Sequence, residues 1–443
     1  MGVTASRWYA GGIRAADANL QSQEAKRERL SGAFFWLTAF YFAYCARPED
    51  WIPPLGSIPI AKIAIALTTL SLLFSLGRTS RRLSDLPKEA FYLLLLVVLL
   101  FASALLSPVW RGGAFFITLD FAKVCIVWIL TFLLVTTLGR LRRIIFLQVA
   151  SVAAISFVAI AKGHSVPRLA GVIEGTVYSN PNDMAFAIVL CIPFCLAFLL
   201  SARTLPRKAA WSLAIAVMTA ALMLTASRAG FIDLVIAGAV LLWQFGVKGK
   251  RPYLIVGAVF LSVGLLLVAG KDLVVRFNGI VARGSSAEQD TAHESFEERK
   301  VLMLKAVDAI AHYPILGVGA GDFVVYSGMW RDVHASYLQI AADGGLPVLI
   351  LYLMFFARGF SNLRALGRKR NLDGETVLFV GALESSLIGF LVGACFAPEA
   401  YQFFPYFTVC YTSVLLAMTK EREGSKIQPT KSLSSPLRYA KAS

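Results

Sequence analysis

Apolar windows long enough to cross a bilayer recur along almost the whole chain, and they leave little freedom about fold class. A hydrocarbon core about 30 Å thick is crossed by roughly 17 to 25 predominantly apolar residues in a helix. The helix is favoured there because it satisfies its backbone polar groups internally. Twelve windows can be counted, at 33–45, 58–76, 90–107, 115–138, 144–161, 183–201, 209–226, 229–245, 253–270, 334–357, 375–396 and 401–419. Arg47, Pro48, Glu49 and Asp50 cut the first one short. With 57% hydrophobic and 16% charged residues and a mean hydropathy of +0.66, the composition excludes an ordinary water-soluble domain. The sequence predicts an all-α integral membrane protein of about 12 transmembrane helices. A basic tail covers 1–32, nine helices fill 33–270, a long outer loop occupies 271–333, three helices fill 334–419, and a second basic tail covers 420–443.

The net charge of +16 is compatible with nucleic acid, anionic lipid or an anionic substrate, so the placement of the charges decides. Of 43 Lys and Arg, 29 fall in the two tails and in alternate loops between windows. The short loops on the other side hold only Arg47, Arg111, Lys162, Arg168 and Arg228. Short cytoplasmic loops carry such an excess, so both termini are expected in the cytoplasm and 271–333 outside. The charge is thus a topology signal, and no nucleic-acid partner is implied. The polar first 32 residues lack the apolar core of a signal peptide, so the first span is expected to remain in place.

The six cysteines (45, 125, 191, 195, 395 and 410) lie in or at the ends of apolar windows, which does not support a disulfide framework. Cys191 and Cys195 share a helix face but read as small buried hydrophobes. The four histidines (164, 293, 312 and 334) lack metal-ligand spacing, and neither a structural metal nor a cofactor is expected.

The outer loop carries the chemistry. Residues 277–295 read as polar coil. From Glu297 to His312, Met303, Leu304, Val307, Ile310 and Ala311 recur as the stripe of an amphipathic helix lying on the membrane surface or on the protein, with Arg299 one turn before Met303. Such an arginine is either a snorkelling structural residue or an anion ligand. Next comes Tyr313-Pro-Ile-Leu-Gly-Val-Gly-Ala-Gly-Asp-Phe323, whose alternate glycines permit positive φ and close backbone approach. His334 opens the following window, as a cap or as a proton acceptor. Arg228 sits between two windows with almost no loop, a costly position that usually has a function. Arg168 precedes Asn180-Pro-Asn-Asp183, where Asn or Asp can equally be a helix cap. Arg168, Arg228, Arg299 and His334 can all be placed at one membrane face. Guanidiniums gathered there repel unless a multiply charged anion joins them, and their forks match phosphate.

At these residues the chain resembles the O-antigen ligase and polymerase superfamily of bacterial membrane enzymes. The ordered set is Arg168-Leu-Ala-Gly, Asn180-Pro-Asn-Asp, Leu224-Thr-Ala-Ser-Arg228-Ala-Gly, Arg299, His312-Tyr-Pro-Ile-Leu-Gly-Val-Gly-Ala-Gly, and His334 with Leu338-Gln-Ile-Ala-Ala-Asp-Gly-Gly-Leu346. Ala46-Arg-Pro-Glu-Asp50 also fits some members. The family often has Asn after the histidine and Glu before the glycine pair, where this chain has Ala335 and Asp343. The resemblance implies metal-independent, inverting glycosyl transfer at the periplasmic face of the bacterial inner membrane. The glycan would pass from an undecaprenyl-diphosphate-linked donor to an acceptor hydroxyl, on lipid A core or a related surface glycan. It implies Arg228 and Arg299, with Arg168, as diphosphate ligands and His334 as general base. Asn180, Asn182, Gly319, Gly321 and Tyr337 complete the expected substrate contacts.

Two rivals share these features: a repeat-unit polymerase using the same donor, and a transporter or flippase of a lipid-linked sugar, whose charges should lie nearer the midplane. Asp120, Asp233 and Glu384 read as counter-charges for Lys123 or the arginines. The topology is open to test. Cysteine at Ser286 should react with an impermeant thiol reagent in intact spheroplasts and cysteine at Asn371 should not; reversed labelling refutes it.

Overall fold

The computed structural model describes residues 32–56, 58–75, 81–162, 178, 180–264, 287–369 and 372–427. Arg168, residues 1–31 of the first tail and 428–443 of the second fall outside them. Among the described residues there is no strand. The chain folds as helices α1 (Gly32–Ala46), α2 (Ile60–Ser75), α3 (Lys88–Leu105), α4 (Arg111–Leu134), α5 (Leu138–Lys162), α6 (Pro181–Ser201) and α7 (Leu205–Leu224). They continue as α8 (Arg228–Leu241, followed by a π-helical turn Leu242–Lys248), α9 (Tyr253–Gly264), α10 (Ala287–His312), α11 (Ser336–Gly367), α12 (Gly374–Gly393) and α13 (Phe403–Ile427).

Each apolar window contains one of these helices, and eight (α3 to α7, α8 with its π turn, α11 and α12) are long and apolar enough to cross a membrane. This is a multi-pass all-α membrane protein. Two boundaries differ from expectation. Helix α10 begins at Ala287, inside the stretch read as coil, because Ala287-Glu-Gln-Asp-Thr-Ala-His-Glu has helix-forming residues but no apolar period to reveal them. Helix α13 runs past residue 419 to Ile427, carrying Lys420 and Glu421 beyond the apolar stretch.

Helix α6 is buried continuously from Met184 to Phe198, as its all-round apolar sequence requires, and forms the centre of the bundle with α12, α8 and α7 around it. An aromatic cluster joins α11, α12 and α13: the Phe356 ring lies 4.9 Å from that of Phe390 and 5.7 Å from that of Tyr406.

Several polar groups inside the bundle pair with one another, which offsets the cost of burying them away from water. Gln148 accepts from Tyr411 Oη at 2.7 Å. At the basic end, buried Arg81 donates to Glu421 at 2.7 Å and to the carbonyls of Phe132 and Val135 at 2.8 and 3.0 Å. Buried Glu89 accepts from Asn362 at 2.7 Å and Ser413 at 2.6 Å. Asp120 pairs with Lys123 as expected, whereas Glu384 accepts from neutral Gln244 at 2.6 Å rather than from an arginine. Both carboxyl oxygens of buried Asp233 lack a hydrogen-bond partner.

A second, smaller core sits at the end opposite the basic loops. There Leu302, Ala306 and Ala309 of α10 pack on Val318, Phe323, Val333, Ala335 and Ala342, with Met303 and Ile310 at the edge. The buried stripe of α10 is therefore rotated from the one expected, and Leu304 and Val307 are exposed at 64% and 54%.

Candidate active site

The site is built on a break in α11. Gly345 has φ 79° and ψ 176° inside the helix, a conformation essentially reserved for glycine. The glycine-rich loop after α10 docks against that break. Val318 N donates to Ala342 O at 2.8 Å, Gly319 N to Asp343 O at 2.9 Å, and Leu346 N to Pro314 O at 2.8 Å. A Cβ on Gly345 would lie 2.4 Å from Ile315 O, and one on Gly317 would lie 2.4 Å from the Asp343 carbonyl carbon. Only hydrogens fit between the two backbones.

The loop is also tied to neighbouring helices. Gly321 N donates to Asp343 Oδ2 at 3.0 Å, and Asp322 Oδ2 accepts from Ser107 Oγ at 2.6 Å and Trp110 N at 3.1 Å. The amides of Gly319 and Gly321 are thus used within the protein, and a Cβ on Gly321 would meet Ile117 at 2.3 Å.

This clasp carries the chain from Arg299 on the inner face of α10 to His334 just before α11. The Arg299 guanidinium lies within electrostatic reach of Arg228, and His334 within reach of Arg299. All three are half-buried. Burial and then Arg228 push the Arg299 guanidinium below its ordinary value. Its Nε is buried without a hydrogen-bond partner, and no carboxylate among the described residues forms an ion pair with it. Burial, and after it Arg299, push the His334 imidazole below 6.5, so the neutral ring prevails at pH 7. Asp332 O lies 3.1 Å from His334 Nδ1. With the proton on Nδ1, the Nε2 lone pair is left open.

Arg228 is placed by a tight turn. Ala226 takes a left-handed φ of 49°, and Ser227 caps α8 by accepting from Gly230 N at 3.1 Å. Ser227 Oγ donates to Asn182 Oδ1 at 2.8 Å, joining the Arg228 turn to the start of α6. Asn180 Oδ1 caps α6 by accepting from Asn182 N at 2.9 Å. Tyr337 Oη donates to Leu391 O on α12 at 2.7 Å.

Asp332 and Glu399, to which sequence reasoning gave no role, lie near this site together with Asp183 of the Asn180-Pro-Asn-Asp motif. Asp332 is held by Gln339, and burial raises its pKa. Gln339 Oε1 also accepts from Ala400 N at 3.2 Å, and Ser336 Oγ from Glu399 N at 2.9 Å. Buried Glu399 lies beside the Asp183 carboxyl at the start of α6. Burial and the Asp183 charge push the Glu399 carboxyl up. A glutamate interrupting an apolar stretch at the site end was the available signal. Among the described residues no group of three or more His, Cys, Asp and Glu is arranged to hold a metal ion.

Residues 213–353 match a family model described as O-antigen ligase, and the match contains Arg228, Arg299, the glycine-rich loop and His334. This segment belongs to the O-antigen ligase superfamily. Among curated proteins none matches the chain. The ligase-type segment thus supplies the basic residues, while Asp183 and Glu399 reach the site from outside it.

Gly345→Ala should remove the clasp in this ligase-type segment. Strain and the clash with Ile315 O are expected to lower stability by at least about 1 to 3 kcal/mol. Gly374→Ala, with open space at the helix start, is the control. Thermal unfolding in detergent compares them, and equal midpoints would show that the break is not required.

Proposed function

We propose that the protein is a glycosyltransferase that moves a glycan from a polyprenyl-diphosphate carrier to an acceptor hydroxyl at the periplasmic face of the bacterial inner membrane. The observation that carries this reading is the convergence of Arg228, Arg299 and a neutral His334 within the segment that matches the O-antigen ligase family. Two half-buried guanidiniums within electrostatic reach of one another suit a multiply charged anion. A sugar diphosphate supplies one.

In the proposed step the acceptor oxygen attacks the anomeric carbon as the bond from that carbon to the diphosphate oxygen breaks. The acceptor proton passes to His334 Nε2, and the diphosphate departs as an anion held by Arg228 and Arg299. Attack opposite the leaving group inverts the anomeric centre. Gly319 and Gly321 act by positioning, since their amides are already bonded within the protein. Asn180 and Asn182 hold the start of α6 and the Arg228 turn. Arg168 joins the proposal from the sequence alone.

A cavity of about 660 Å³ supports a lipid-borne donor. It lies between α6, α7, α8 and α9, and its lining includes Leu196, Ile215, Met223, Phe231, Leu241 and Leu254. Met223 and Phe231 flank the turn that carries Arg228.

The test is transfer by purified protein in excess chelator, from a polyprenyl-diphosphate glycan to lipid A core or to a second lipid-linked glycan. The first product identifies a ligase and the second a polymerase, and activity that depends on added magnesium or manganese overturns the arginine-based mechanism. Arg228→Lys and Arg299→Lys keep charge but lose the fork, and should be severely impaired while folded.

His334→Ala should bind donor yet turn over about 10² to 10⁴-fold more slowly. Because His334 must be neutral to accept a proton, kcat/KM should fall as pH drops through a value below 6.5. That limb should vanish in His334→Ala. Normal turnover per folded molecule would end the general-base assignment.

A further inference from the structure

Helix α10 presents three faces, and only two of them have evident surroundings. Arg299, Leu302, Met303, Ala306, Ala309 and Ile310 turn toward the protein. Glu297, Asp308 and His312 form a polar, exposed strip. At 3.6 residues per turn, Leu304, Val307 and Ala311 fall between these two, on a line that is apolar and exposed. A helix held in water gains nothing from that line.

The line continues into surface that belongs to the membrane-spanning bundle. Beyond His312 the chain reaches Ile315, 70% exposed, where Leu346 N donates to Pro314 O at 2.8 Å. Leu346, Ile350 and Leu353 are exposed at 43%, 55% and 45% along the apolar span α11. Leu346 lies ten residues into α11, about 15 Å along its axis. The end of α10 therefore meets α11 just after its break at Gly345, beside the exposed apolar residues of that span rather than at its start. Tyr313 just past that end and exposed Lys300 midway along the helix are residue types that anchor at headgroups.

We infer that α10 is an interfacial helix whose Leu304, Val307 and Ile315 edge is seated in the outer-leaflet acyl region. Lipid is the occupant because the edge is continuous with α11. The seat fixes the depth of Arg299, one face away on the same helix, at the level where the phosphates of membrane lipids lie. It requires nothing of the transfer chemistry proposed above.

Nitroxides at Leu304→Cys, Val307→Cys, Asp308→Cys and Glu297→Cys, each in full-length Cys395→Ser protein, give the test. The other five cysteines are buried. In vesicles of phosphatidylethanolamine and phosphatidylglycerol, positions 304 and 307 should collide with oxygen more than with chelated nickel, and positions 308 and 297 the reverse. Nickel collisions at 304 and 307 as frequent as at 308 would place α10 in water. Low collision with both reagents at 304 and 307 would mean that protein, such as a second copy, covers the edge. Either result overturns the inference. The readout does not involve activity, so it stands or falls apart from the role of Arg299 in catalysis.

Discussion

The backbone clasp between the glycine-rich loop and the broken turn of α11 is the contact on which the site depends. Val318 and Gly319 donate to the carbonyls of Ala342 and Asp343, and the approach is so close that a Cβ at Gly317 or Gly345 would overlap the opposing main chain. A break in a membrane helix leaves backbone groups without partners, and each costs free energy where water is scarce. Here the loop supplies those partners, and Ser103 donates to the Asp343 carbonyl at 2.8 Å. One device thus repairs the helix, anchors the C-terminal end of α10 and delivers His334 to the mouth of the site.

Around this scaffold like charges lie within reach of one another. Arg228 and Arg299 repel, and the charge of Arg299 also disfavours imidazolium at His334. Burial favours the protonated form of Asp332, whose carbonyl meets His334, which limits the negative charge it offers there. A polyanion relieves the repulsion between the guanidiniums and raises the proton affinity of His334. In the proposed mechanism, donor binding and the strength of the base would be coupled through charge. The rim carboxyls are fixed by the loop between α12 and α13, which Ser336 and Gln339 tie to the start of α11.

Much of this was legible in the residues themselves. Uninterrupted apolar runs locate helices because nothing else satisfies the backbone in lipid, and each expected window holds one. Arg228, Arg299 and His334 stood out because a charge is costly beside a membrane. Less was legible where several placements satisfy the same pattern. The stripe on α10 was read one position off because apolar residues cover two of its three faces, and periodicity does not say which face meets protein. Glu399 carried no motif, and its partner Asp183 lies more than two hundred residues away.

The sequence by itself determined that this is an all-α membrane protein, which end of the bundle is basic, and the order in which the basic residues of the site occur. Those properties follow from composition and local spacing, which act through solvent transfer and charge alone. Tertiary structure decided that the alternate glycines serve backbone packing, that Asn180 caps α6, that Tyr337 bonds α12, and that Glu399 lies beside Asp183. Such outcomes depend on close approach between distant segments, where a few tenths of an ångström separate a hydrogen bond from a clash.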